Sequence, residues 1–178
     1  MRADARRNYE RLLQEAETAF RERGTDASLE DIARNAGVGI GTLYRHFPTR
    51  DALLEALLHD RFMALGELST KLLDSDEPRA ALITWLGEFA RSSNRYEGLP
   101  ASVVATLNNE ESRLYASCHA MGDAGARLLA KAQEAGEVRA DLTASELLLL
   151  VASLSWANEH SPNSIDRFLN LLVEGIAT

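Results

Sequence analysis

Apolar residues recur along this chain at a spacing of three and four over nearly its whole length, with no sustained alternation of the kind a half-buried strand requires. In residues 6–23 the stripe is Tyr9, Leu12, Leu13, Ala16 and Phe20, one face of a helix that Gly24 ends. Leu29, Ile32, Ala33 and Ala36 form a second, shorter stripe, with Ser28 at its N-cap and Asp31 three residues on, a variant of the capping box. Gly37-Val38-Gly39 then supplies one residue able to take positive φ, an apolar plug and a second unhindered residue, which is what a sharp helix-to-helix turn needs. A third helix over residues 40–47 is anchored by Leu43 and Phe47, one turn apart. Isolated helices below about 12 residues are marginal in water, so this one must be held from behind.

Anchoring Leu43 and Phe47 inward turns Thr42, Arg45 and His46 outward, with Tyr44 at the edge. Between Ile32 and Arg50 there are three arginines, Arg34, Arg45 and Arg50, and no carboxylate. Pro48 stops the short helix and Thr49 can cap the next. Arg50 then falls in a helix first turn, where the macrodipole disfavours a cation unless an anion is near. A phosphate at that N-terminus would account for it.

The pattern Ile32-Ala33, Ala36-Gly37-Val38, Gly41-Thr42-Leu43-Tyr44, then Phe47 and Arg50, resembles the helix-turn-helix of the TetR family of bacterial transcriptional regulators. The likeness runs from the first helix through Leu57. It implies that the helix over residues 40–47 enters the DNA major groove, and that Ser28, Ile40, Gly41, Thr42, Tyr44, Arg45, His46 and Arg50 face the duplex. The chain departs from the family at two places. Gly39 stands where many relatives carry a hydroxyl residue, and Ile40, which cannot donate a hydrogen bond, where many carry a polar or basic one. A thymine methyl is the base feature left to Ile40.

Beyond Arg50 the periodicity predicts a long helix to about residue 73, with Leu53, Leu54, Leu57, Leu58, Phe62, Leu65 and Leu72. A domain boundary is drawn inside it, giving a head over residues 1–60 and a second domain over residues 61–178. Helices follow over 78–96, 101–107 and 110–135. Gly98-Leu99-Pro100 is read as a break, and Gly136 as a stop. In residues 110–135 a seam of Leu114, Cys118, Met121, Gly125, Leu128 and Ala132 alternates by four and three. Thr143 and Glu146 form a capping box ahead of Leu147-Leu148-Leu149-Leu150-Val151, a helix so apolar all round that both faces must be covered. Ser161-Pro162-Asn163-Ser164 turns the chain into a last helix with Ile165, Phe168, Leu169, Leu172 and Ile176 on one stripe. The fold class is therefore all-α, about nine helices.

Composition qualifies this picture more than it redirects it. The chain has 178 residues, 46% hydrophobic, and a net charge of −8, which taken alone argues against a nucleic-acid binder. Residues 1–62 hold 10 Lys+Arg against 11 Asp+Glu, whereas residues 63–178 hold 9 against 16, so the acidity sits mostly behind the head. Arg2, Arg6 and Arg7 either reach the DNA backbone or lie in a solvated terminus. One cysteine, Cys118, excludes an intrachain disulfide and suits a reducing cytoplasm. The N-terminus lacks the apolar run of a signal peptide, and the most apolar stretch is far short of the ~20 residues of a membrane span. The expectation is a soluble cytoplasmic protein. His46, His59, His119 and His160 lack metal-ligand spacing, and the paired carboxylates sit at helix starts. No enzyme, cofactor or metal is expected.

The family resemblance further implies a homodimer through the last two helices, reading a palindromic operator, and a small-molecule effector held by the second domain. Candidates to line that effector site are Trp85, Phe89, Asn108, Cys118, Met121 and Trp156, a set poor in charge that suits an apolar or amphipathic ligand. The leading reading is a homodimeric, ligand-released repressor. The alternative is a helical small-molecule carrier or interaction module without specific DNA binding.

Overall fold

The computed structural model of the chain describes residues 2–93, 101–160 and 165–176, with side chains over residues 4–92, 103–154 and 167–176. Every regular element among the described residues is a helix: α1 (Arg2–Arg23), α2 (Leu29–Asn35), α3 (Ile40–His46), α4 (Arg50–Leu72), α5 (Pro78–Ser93), α6 (Ala101–Leu107), α7 (Arg113–Glu134), α8 (Ala144–His160) and α9 (Ile165–Ile176). The breaks expected at Gly98-Leu99-Pro100 and at residues 161–164 lie outside the described residues. Contacts gather the chain into two units, residues 1–60 with 95–115, and residues 61–94 with 116–178. The first therefore takes in α6, an assignment the linear reading did not make.

Two helix starts differ from expectation, each for a local reason. α1 begins at Arg2, and its first turns are laced by Arg7 on Asp4 (2.9 Å) and Arg6 on Glu10 (2.9 Å). α7 begins three residues late. Asn109 Oδ1 accepts from Glu111 N–H at 3.1 Å and Ser112 Oγ from Tyr115 N–H at 2.9 Å, so residues 109–112 form a turn and a cap.

In the first unit α1 packs on α2 and α2 on α3. Leu12, Ala16, Phe20, Ile32, Leu43, Phe47, Leu53 and Leu54 are all buried. Burying one such leucine or phenylalanine contributes roughly 1.5–3 kcal/mol, so a seven-residue helix is held by its two anchors rather than by its own hydrogen bonds.

The second unit is centred on Trp85, which is fully buried. Its indole lies parallel to the Phe89 ring at 5.7 Å, and its Nε1–H donates to the Leu65 carbonyl at 2.9 Å. Gly125 makes room for it: a Cβ there would lie 2.6 Å from the indole ring. Leu82, Leu86, Met121, Leu128, Leu147 and Val151 complete this core. Polar ties close its loops. Lys131 Nζ donates to the Leu73 and Ser75 carbonyls, both at 2.7 Å, and the Glu137 carboxylate accepts from Arg79 N–H at 2.9 Å in the first turn of α5. The capping box is formed: Glu146 N–H donates to Thr143 Oγ1 at 3.2 Å, and Thr143 N–H to Glu146 Oε2 at 2.9 Å. α8 buries Leu147 and Val151 but leaves Leu149 70% and Leu150 45% exposed, and α9 leaves Leu171 56% exposed. In the single chain, then, the described side chains of this apolar helix are covered on one side only.

Candidate nucleic-acid interface

Each step into α3 is fixed by local chemistry. Ser28 Oγ accepts from Asp31 N–H at 3.2 Å, which starts α2. The helix ends in a Schellman arrangement, with Gly37 N–H on the Arg34 carbonyl and Val38 N–H on that of Ala33, both at 3.0 Å, and Gly37 at φ 66°. Gly39 is the N-cap of α3 in extended backbone and offers no side-chain acceptor. The positive-φ duty therefore falls on Gly37 alone.

α3 then presents its residues as follows. Leu43 and Phe47 are buried, at 0% and 2%. Tyr44 is 45% exposed; Gly41 and Arg45 are exposed, and Ile40, Thr42 and His46 are half-buried. The His46 ring meets Tyr9 of α1 edge-on at 5.9 Å, and Tyr9 lies 5.1 Å from the Phe47 ring. One side of α3 is thus clamped against α1, and the other carries a phenol and a guanidinium into solvent. Gly41 adds to the openness, since a Cβ there would meet nothing within 4 Å. On α2, Arg34 is drawn onto Asp31, as is Arg23 at 3.6 Å.

Arg50 has an occupation that its neighbours in sequence do not reveal. Its Nη1 donates to the Thr25 carbonyl at 2.7 Å and to that of Ala27, and its guanidinium carbon lies 5.9 Å from the centre of the Phe20 ring. Carbonyl dipoles of the α1–α2 loop thereby supply the negative partner that a cation in a helix first turn requires. The phosphate inferred from the macrodipole has an intramolecular substitute.

The effector candidates take different local environments. Trp85 and Met121 belong to the core of the second unit, and Phe89 and Cys118 pack half-buried against it. Burial pushes the Cys118 thiol pKa up, as for a packed rather than reactive cysteine. Asn108 is exposed in the first unit, its amide donating back to the Val104 carbonyl at 3.0 Å. The Trp156 side chain lies outside the described residues.

A cavity of about 380 Å³ opens in the first unit, lined by Tyr9, Ala52, Glu55, Ala56, His59, Asp60, Thr106, Ser112, Arg113 and Leu114. No sequence expectation pointed there. Its signal was the spacing of Ala52, Glu55, Ala56, His59 and Asp60, a continuous polar and small-residue stripe on the first half of α4.

Comparison with known proteins places these features in company. Residues 12–57 match the bacterial regulatory proteins of the tetR family, and residues 77–178 the C-terminal domain of SbtR-like transcriptional regulators. A TetR transcriptional regulator of Streptomyces coelicolor is 32% identical, with a TM-score of 0.77 over 95% of this chain and 98% of that one. A TetR transcription regulatory protein of Mycobacterium vanbaalenii is 31% identical, with a TM-score of 0.69 over 99% of both chains. Among curated relatives, the HTH-type transcriptional repressor KstR2 of Rhodococcus jostii is 35% identical over 113 residues, 60% of this chain and 51% of that protein. An HTH-type transcriptional regulator of Mycobacterium tuberculosis is 37% identical over 76 residues, 42% of this chain and 38% of its own length. The matches thus span about half or less of the curated relatives' lengths.

Proposed function

Because the chain belongs to the TetR family of bacterial transcriptional regulators and is a DNA-binding regulator, we propose that it acts as a homodimeric repressor of a palindromic operator, released by a small-molecule effector. The observation that carries the reading is the presentation of α3. A short rod is clamped by Leu43 and Phe47 so that Tyr44 and Arg45 stand in solvent, ready for base edges and phosphates. No carboxylate lies between Ile32 and Arg50 to oppose a polyanion. Arg45 is the chief cation of this face, and Tyr44 gives it a hydrogen-bonding, stacking neighbour. Ser28 and Arg50 hold α2 and the α1–α2 loop in place, and any phosphate contact of Arg50 uses the N–H groups other than those on Thr25 and Ala27. Thr42, His46, Gly41 and Ile40 complete the surface that meets the duplex.

Homodimerisation through α8 and α9 is supported by the uncovered Leu149, Leu150 and Leu171, apolar area that a second copy can bury. The effector is assigned to the second unit, against Phe89, Cys118 and Met121, with Trp85 as the floor. In the proposed mechanism it favours a head spacing that no longer matches successive major grooves.

Selection of bound sites from random duplexes tests the whole reading. The expected product is an inverted repeat. Tyr44→Ala and Arg45→Ala should each weaken binding to it by about tenfold or more, with sedimentation of the dimer unchanged. Failure to enrich any duplex, or unaltered binding by both variants, would overturn it.

A further inference from the structure

The cavity in the first unit is built from four helices and is unlike an apolar packing gap. α4 contributes Glu55, His59 and Asp60, α1 contributes Tyr9, α6 contributes Thr106, and α7 contributes Arg113. Thr106 Oγ1 donates to Glu55 Oε1 at 2.9 Å, which orients that carboxylate and leaves its second oxygen available. His59 Nδ1 stands 3.6 Å from Asp60 Oδ1. The electrostatic reach of Asp60 and Arg113 extends to the Tyr9 hydroxyl: burial raises its pKa first, Asp60 raises it further, and Arg113 opposes them. Two carboxylates against one guanidinium leave the wall with one surplus negative charge when His59 is neutral. Alanines on the same stripe of α4, with the Tyr9 ring, give it an apolar floor. At about 380 Å³ it falls within the range of small-molecule sites.

We propose that this cavity is a binding site for a small organic amine, its ammonium group received by Glu55 and Asp60 and its short carbon stem lying along Tyr9. A charged wall of this kind recognises a cation by charge-assisted hydrogen bonds, and the Tyr9 π-face adds a second, orientation-dependent attraction. An anionic ligand would find one guanidinium and two repelling carboxylates. The site includes no residue of α3, although its Tyr9 also packs on His46 and Phe47, and it is measured without DNA.

Three probes of equal chain length separate the possibilities by calorimetric titration of the whole chain: cadaverine with two ammonium ends, 5-aminopentanoate with one of each charge, and glutarate with two carboxylates. Cadaverine and 5-aminopentanoate should bind and glutarate should not. Glu55→Gln and Asp60→Asn should each weaken cadaverine by about tenfold, with thermal melts confirming that both variants fold. Loss in only one variant still supports the site and assigns the ammonium to that carboxylate. Glu174→Gln, on an exposed position of α9, controls for attraction to an acidic protein and should leave the titration unchanged. Binding of glutarate as tight as that of cadaverine, no binding of any probe, or an equal loss in Glu174→Gln would overturn the proposal.

Discussion

α3 and α8 both leave part of their surface uncovered, and they do so in opposite chemistry. α3 exposes Tyr44, Arg45 and the bare backbone of Gly41, while α8 exposes Leu149 and Leu150 beside buried Leu147 and Val151. A phenol and a guanidinium remain solvated in water and give up little until a polyanion arrives. Exposed leucines cost free energy in proportion to their area, at about 25 cal/mol per Å², until another protein surface removes them from water. Under the proposed function, what each helix leaves outside suits a different partner: a nucleic acid for the first, a second copy for the other. The supports differ correspondingly. α3 depends on two anchors, Leu43 and Phe47, whereas α8 is one wall of a core that also holds Trp85, Leu82 and Leu128.

The largest effect should therefore come from removing an anchor. Phe47→Ala deletes a ring that is 2% exposed and touches Tyr9, and should cost about 3–5 kcal/mol. Urea unfolding should show the loss, with operator binding falling alongside it. If DNA affinity survived, α3 would owe its placement to something other than its clamp. Arg50→Ala comes next, at about 1.5–3 kcal/mol, because two loop carbonyls lose a charged donor and Phe20 loses its cation. This variant also separates two roles. A pure latch lowers stability and leaves the salt dependence of DNA binding unchanged, whereas a phosphate contact reduces the log–log slope by about one.

On the α8 side the expectation reverses. Leu149→Asp alters a side chain that is 70% exposed, so the stability of the single chain should move by no more than about 0.5 kcal/mol. Self-association, followed by sedimentation, should weaken by about tenfold or more, because a carboxylate would then have to be buried against apolar surface. A large drop in unimolecular stability with no change in association would show that Leu149 serves the monomer core, and the contrast with α3 would be lost.

What the sequence disclosed follows the range of the interactions involved. The α2–turn–α3 segment was legible because caps, the Gly37 turn and the Leu43/Phe47 spacing are all decided within a few residues. So were the Thr143–Glu146 box and the stop at Gly136, which takes φ 73°. The latch made by Arg50 was not legible, because its acceptors lie 25 and 23 residues upstream, across a loop whose carbonyl directions no periodicity encodes. Trp85 stood among the effector candidates as a large aromatic, yet its place is fixed by a notch at Gly125, on a different helix. The cavity was invisible for the same reason: four separated segments supply its wall. Only the α4 stripe hinted at it.

The smallest effect expected lies at the start of α8 and tests whether that helix, unlike α3, is fastened by a charge at its N-terminus. Hydrogen bonds from the Thr143 side chain and then its backbone N–H hold the Glu146 carboxyl below its ordinary pKa, and the Arg139 side chain does the same for Asp141. Because both folded-state values are depressed, the stability these groups contribute is fully present above the usual carboxylate range. It is lost as pH falls through the lowered values. Thr143→Ala removes the hydroxyl that Glu146 accepts from and leaves Glu146 N–H without its acceptor. The melting temperature at neutral pH should fall by about 2–4 °C, and the acid limb of the stability curve should become shallower. α3, whose N-cap Gly39 carries no side chain to titrate, should show no matching acid dependence. Melts of the variant and the parent between neutral and acid pH decide it. Parallel curves would mean that the capping box is formed but contributes nothing that protonation can remove.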